Sequence, residues 1–297
     1  MLPAIALIIA AAPCGGCGDP SFQYHGPVKW PYEDLLAVCA TGDTVPDRSF
    51  LTPAGDLWGV APECADAVGE TFEIDWDSFG EEPDSFTDAT TPAELVVAGF
   101  LAVLGHQDIA VDETTRDGAP EVLLTRFDDL QSKYGFAESQ DAGALWYQLL
   151  TAEIDQVVYN PEIEAIMSYG AGRVNVGDIT DALDPPGSPA QSFTIVEVAG
   201  FLIHEAAHGL HGGHIECGEA AGPFLDEDSN CDANAEGAYG VQAWWLYDWT
   251  RSNGKWLEEG VCWGSTRALA DACMCIIERD DYEACNGWDT IECEGPE

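Results

Sequence analysis

Basic residues are nearly missing from this chain: 10 lysines and arginines stand against 54 aspartates and glutamates in 297 residues, a formal net charge of -44. Such a surface repels phosphate backbones and anionic lipid headgroups, which argues against nucleic-acid binding. A solvated acidic surface is the plain reading, and it also attracts cations. Past the first residues there is no apolar run long enough to span a bilayer. Histidine is scarce too, 6 in all, and methionine scarcer, 3. What the chain does have is 46% hydrophobic residues, enough for a sizeable core, and 11 cysteines.

The opening stretch MLPAIALIIAAAPCGGCG is apolar, too short to cross a membrane, and ends in small residues. It reads as an export signal over residues 1–17, without the usual basic start. The mature chain is expected to be exported, either secreted or a lipoprotein of the bacterial cell envelope, touching the membrane only through an N-terminal lipid anchor. Cys14 and Cys17 compete for that anchor. Pro13 disfavours cleavage before Cys14 and Gly16 suits cleavage before Cys17, whereas lipid on Cys14 would leave an even number of cysteines to pair. In an oxidising compartment disulfides are the default for the other nine, and Cys39–Cys64 and Cys217–Cys231 are the expected short-range pairs.

Residues 18–90 are rich in Pro, Gly and Asp and read as a loop-rich segment with one strand over 71–76, TFEIDW. Thr91-Pro92-Ala93-Glu94 joins an N-cap, a proline at the first helical position and a capping-box glutamate, and predicts a buried helix to about Gly105. A second helix is expected over about 141–158, a short one from Asn160-Pro161 to near Tyr169-Gly170, and a strand over 172–180, GRVNVGDIT. Ser188-Pro189-Ala190-Gln191 repeats the capping box. The sequence behind it, SFTIVEVAGFLIHEAAHGL, is apolar almost all round and predicts a central helix ended by Gly209, Gly212 and Gly213. An acidic loop at 225–236, a helix over about 235–251 and a cysteine-rich C-terminal subdomain, 258–297, complete the expected order, with residues 91–257 as the main domain.

Four of the six histidines fall within HEAAHGLHGGH, residues 204–214. Histidines four apart lie one turn above each other on a helix face, so His204 and His208 can reach one ion with Glu205 beside them. A catalytic zinc needs a third protein ligand and an open position. His211 would stand about 10 Å along the axis from His204, too far to share an ion on a continuing helix. His214 is reachable if the glycines break the helix and swing the chain back, and Glu236, opening the next helix, is the alternative third ligand.

His204-Glu205-Ala206-Ala207-His208 is the HExxH arrangement, and through it the chain resembles the zincin metallopeptidases. With His214 it looks like the metzincin branch, HExxHxxGxxH, although His211 stands where that pattern has glycine and the only downstream methionine, Met274, lies in ACMCII. With Glu236 as ligand the likeness shifts to glutamate-ligand zincins. The resemblance covers about 25 to 45 residues. It implies a Zn2+ ion on the two imidazoles, Glu205 as the general base that activates water and later protonates the leaving amine, and a peptide or protein substrate lying along an edge strand, for which GRVNVGDIT is the candidate.

Weaker patterns surround this one. Asp226, Asp228, Asn230, Asp232, Asn234 and Glu236 alternate, and the first three match the opening of a Ca2+ loop. Cys231 replaces the turn glycine and Gly237 stands where the bidentate glutamate belongs, so a solvated loop pinned by Cys217–Cys231 is the first reading. Tyr239 reads as a packed tyrosine, with hydrogen bonding to a tetrahedral oxyanion as its alternative role. Trp244, Trp245, Trp249, Trp256 and Trp263 read as core before they read as a groove. His25 and His106 read as structural. Taken together, the expectation is a helix-rich α+β, zincin-like fold with a central buried active-site helix and a small sheet, carrying an exported zinc metallopeptidase. The rival is a non-enzymatic surface lipoprotein that keeps the shape and holds a structural metal or binds a partner.

Overall fold

The computed structural model describes residues 29–40, 60–80, 91–106, 142–163, 166–177, 179, 191–216, 230–232 and 237–252. The export signal, Cys14, Cys17, His25, the second capping box at 188–190, Glu236, Trp256, Trp263 and the cysteine-rich segment 258–297 lie outside them. Among the described residues the protein is helix-rich α+β with one three-stranded mixed sheet, and no helix is long and apolar enough to cross a membrane.

Where loops are expected there are short helices: α1 Tyr32–Cys39, α2 Cys64–Thr71 and α3 Trp76–Phe79. The Cys39–Cys64 disulfide ties α1 to α2, as the spacing suggests. The strand expected over 71–76 is absent. Phe72 closes α2, Glu73 turns with φ 41°, and only Ile74 makes a single bridge, to Val157. The alternating apolar residues there are two anchors either side of a turn, with Phe72 fully buried and stacked on Phe100 at 3.9 Å.

Helix α4, Pro92–Leu104, starts as the sequence predicts. Thr91 Oγ1 accepts from the Glu94 amide at 3.3 Å, and Glu94 Oε2 accepts from the Thr91 amide at 2.9 Å. Its next neighbour, α5, Ala142–Glu153, stops short of the expected end, and Gln156–Tyr159 forms strand β1. The reason is non-local: the amides of Asp155 and Gln156 both donate to the Gly172 carbonyl, at 2.6 and 3.1 Å, and Val157 is buried in the sheet. The short helix expected up to Tyr169-Gly170 is likewise replaced, by a turn and strand β2, Met167–Gly170. Ala171 and Gly172 both have positive φ, 50° and 83°, and so form the tight hairpin turn that leads into β3, Arg173–Val176.

β3 is a strand as expected but not an edge. It is central, parallel to β1 on one side and antiparallel to β2 on the other, so both rows of its backbone groups are engaged. Among the described residues the edges are β1, which carries the single bridge to Ile74, and β2. Helix α6, Gln191–His211, packs against α4, α5, β2 and the last helix among the described residues, α7, Ala238–Ser252. A two-stranded ladder, β4 Ile215–Glu216 with β5 Asn230–Cys231, joins α6 to α7. Trp245 and Trp249 are buried, and Trp146 packs against Trp244 and Trp245 at 4.3 and 5.6 Å, so the described tryptophans belong to the core and its margin.

Candidate metal centre

From Val196 to Ala207 α6 is wedged among apolar neighbours: Val196, Val198, Ala199, Leu202, Ile203, Ala206 and Ala207 are all fully buried. That burial carries His204, with no exposed surface, and Glu205, 3% exposed, into the interior, while His208 one turn later is half-buried. The helix ends at His211 because Gly212 takes φ 80°, a conformation that suits glycine, and its amide closes the last turn on the His208 carbonyl at 3.0 Å. Gly209, expected to help end the helix, stays within it. After Gly213 the chain reverses into β4, and His214 returns to the other two.

The three rings form one cluster, with centroids 4.9 Å apart for His204 and His208, 5.1 Å for His204 and His214, and 4.5 Å for His208 and His214. One nitrogen from each lies within 4.8 Å of the others, an arrangement able to hold a metal ion. What each outer nitrogen does decides what faces inward. His208 Nδ1 lies 2.8 Å from the Gly212 carbonyl, which can only accept, so Nδ1 carries the proton. His214 Nδ1 donates to Asp232 Oδ1 at 2.9 Å, and His204 Nδ1 donates to Gln242 Oε1 at 3.0 Å. In a neutral ring with Nδ1 protonated, the lone pair falls on Nε2. Burial holds His204 well below the ordinary histidine range, helped by His208 and His214, and burial likewise lowers His208, so both are neutral at physiological pH.

His204 Nε2 and His214 Nε2 stand 3.2 Å apart. Two lone pairs at that distance repel unless a cation or proton lies between them, and two imidazole nitrogens on one tetrahedral ion at ~2.0–2.1 Å stand about 3.3–3.4 Å apart. The donor set thus fits a metal ion on its own geometry, with each ligand's far nitrogen oriented by an acceptor, as metal-bound histidines require.

No family model, curated protein or solved structure matches the chain.

The structure brings together His204, His208 and His214 and places Tyr239 against them. The Tyr239 ring stacks on His214 at 4.6 Å and meets His204 edge-on at 4.6 Å, and the residue is 2% exposed, so it is packed as the plain reading has it. Glu205 has no hydrogen-bond partner among the described residues, and burial pushes its carboxyl group up to about 8. Asp232 is not presented to solvent as a calcium-loop ligand. It is 4% exposed and both of its oxygens are engaged, Oδ1 by His214 and Oδ2 by the amides of Tyr239 and Gly240. Of the other loop residues, Asp226, Asp228, Asn234 and Glu236 lie outside the described residues, and Asn230 sits in β5. Cys231 is disulfide-bonded; its expected partner, Cys217, is also outside them.

Sequence reasoning missed the roles of Asp232 and Gln242. Gln242 carried a signal, because it is a lone amide in the otherwise apolar VQAWWL of a buried helix, where a polar group needs a partner.

Proposed function

We propose that the protein is an exported zinc metallopeptidase of zincin type, in which His204, His208 and His214 hold the ion through Nε2. The observation that carries this reading is the convergence of three imidazoles, two of them from a buried helix that also carries Glu205. Zinc, when bound, supplies Lewis acidity to a scissile carbonyl and brings hydroxide within reach of neutral pH. Glu205 does the proton work: its carboxylate takes a proton from the attacking water and passes it to the leaving amine.

The substrate strand is assigned to β2 rather than β3. β2 is an edge of the sheet, packs beside α6, and sets the Tyr169 hydroxyl on the Glu153 carbonyl at 3.1 Å, close to Gly209 in the last turn of α6. An extended peptide can add to such an edge through main-chain hydrogen bonds. The Cys39–Cys64 disulfide supports export.

The complete burial of His204 favours one second reading, a structural metal in a non-enzymatic surface protein. Glu205 separates the two. In Glu205→Gln, zinc per chain by elemental mass spectrometry should stay at the wild-type value while hydrolysis of a peptide library falls by at least 100-fold. Undiminished hydrolysis in that variant sinks the proposed mechanism, and a wild type that binds zinc without cutting any peptide gives the structural reading the lead.

A further inference from the structure

We propose that Asp232 is a positioning residue for the centre: it holds His214 as a ligand and transmits to it the fixed geometry of the amino end of α7. This rests on the metal-binding half of the proposed function, and not on hydrolysis.

Three donors converge on the Asp232 carboxylate. His214 Nδ1–H reaches Oδ1 at 2.9 Å, and the amides of Tyr239 and Gly240 reach Oδ2 at 2.7 and 3.4 Å. A side chain that only accepts can satisfy all three; asparagine cannot, because its amide nitrogen must face either the imidazole N–H or the two backbone N–H groups. With the carboxylate in place, the His214 proton is kept on Nδ1 and the Nε2 lone pair on the cluster. The two backbone donors are amides in the first turn of α7, where a carboxylate acceptor is favoured.

Two further features keep Asp232 where it is. The β4–β5 ladder pairs Ile215 with Cys231, which makes His214 and Asp232 the next opposed pair in the antiparallel register. At Gly237 a Cβ would collide with the Asp232 Cγ, so a side chain at 237 would displace the carboxylate without removing it. The same helix supplies Gln242 to His204. α7 contributes no histidine, yet it orients two of the three.

The test is a zinc titration of the metal-free, disulfide-intact full chain, competed against a chromophoric chelator, for wild type, Asp232→Asn, Gly237→Ala, His214→Ala and the Asp232→Asn/His214→Ala pair. Asp232→Asn and Gly237→Ala should each weaken zinc binding about 10- to 100-fold, the range seen when a partner of a metal-bound histidine is lost. In the His214→Ala background, Asp232→Asn should weaken it no further, because a residue acting through His214 has nothing left to orient. An equal loss in both backgrounds would reduce Asp232 to a cap of α7 and overturn the proposal, as would wild-type affinity in Asp232→Asn. If wild type itself takes up no zinc, the metal centre fails, and the proposed function and this inference fall together.

Discussion

Helices α4 and α6 contain the same five residues, Val97-Ala98-Gly99-Phe100-Leu101 and Val198-Ala199-Gly200-Phe201-Leu202, and both bury them. In each the glycine is the point of close approach to another helix: Gly99 faces Val198, Ala199 and Leu202 of α6, and Gly200 faces Leu246, Trp245 and Gln242 of α7. Local sequence thus makes the same notched helix twice. Beyond the shared motif the two helices part. α4 continues with Ala102, Val103 and Leu104, all buried and apolar, whereas α6 continues with Ile203, His204 and Glu205. A histidine after the motif is not enough, since His106 comes just after α4, is 3% exposed, and packs edge-on against Trp245 at 5.2 Å. Among the described residues only His204, His208 and His214 form a metal-type cluster, because only there does a glycine turn return a third imidazole, and a neighbouring helix and strand supply acceptors for the outer nitrogens.

The largest effect that would break this contrast is on metal content. His204→Ala or His208→Ala should lower zinc affinity by 100-fold or more in the chelator competition, while His106→Ala should leave it at wild type and lower the melting temperature instead. Loss of metal in His106→Ala would mean that the α4 end also feeds the centre.

The two glycine notches should separate next. A Cβ at Gly99 would lie 2.9 Å from Val198 Cγ1 and 3.2 Å from the Ala199 backbone nitrogen, so Gly99→Ala must push α4 and α6 apart, and roughly 2 kcal/mol of destabilisation is expected in urea unfolding. At Gly200 the nearest atom is the end of Leu246, 3.3 Å away, and the gain in helix propensity, about 1 kcal/mol, offsets the small adjustment. Gly200→Ala should therefore unfold at higher urea than Gly99→Ala; the opposite order would contradict the packing.

The smallest effect is at the residue before each motif, fully buried Val96 in α4 and half-buried Glu197 in α6. Burial pushes the Glu197 carboxyl from 4.5 up to about 7. Between those values the folded chain holds a proton that the unfolded chain has lost, so this group makes stability fall as pH rises from about 4.5 to about 7, and its cost is complete above that. Glu197→Gln should match wild type near pH 4 and exceed it near pH 8 by about 1 kcal/mol, a figure reduced from the full shift because the side chain is only half-buried. Identical stability-against-pH curves for the two proteins would show that Glu197 is solvated after all.

The histidine motif and its helix were legible because both are local. A period of 3.6 puts His204 and His208 on one face whatever the rest of the chain does, and the Thr91-Pro92-Ala93-Glu94 capping box is satisfied within four residues. The stretch from Ile154 to Gly170 was misread for the complementary reason. Val157, Val158 and Met167 suit a buried helix as well as a buried strand, and the choice fell to hydrogen bonds with Gly172 and β3, which are distant in sequence or reached only through the Ala171-Gly172 turn.

By itself, then, the sequence determined the acidic surface, the two apolar helices, and the pairing of His204 with His208 around Glu205, each a matter of composition or of neighbours within a turn. Only the tertiary structure decided that His214 joins them, that β3 lies inside the sheet with β2 at its edge, and that Asp232 and Gln242 orient the rings. Those contacts depend on one glycine at positive φ and on the register of a two-residue ladder, and both take their meaning from where α7 packs.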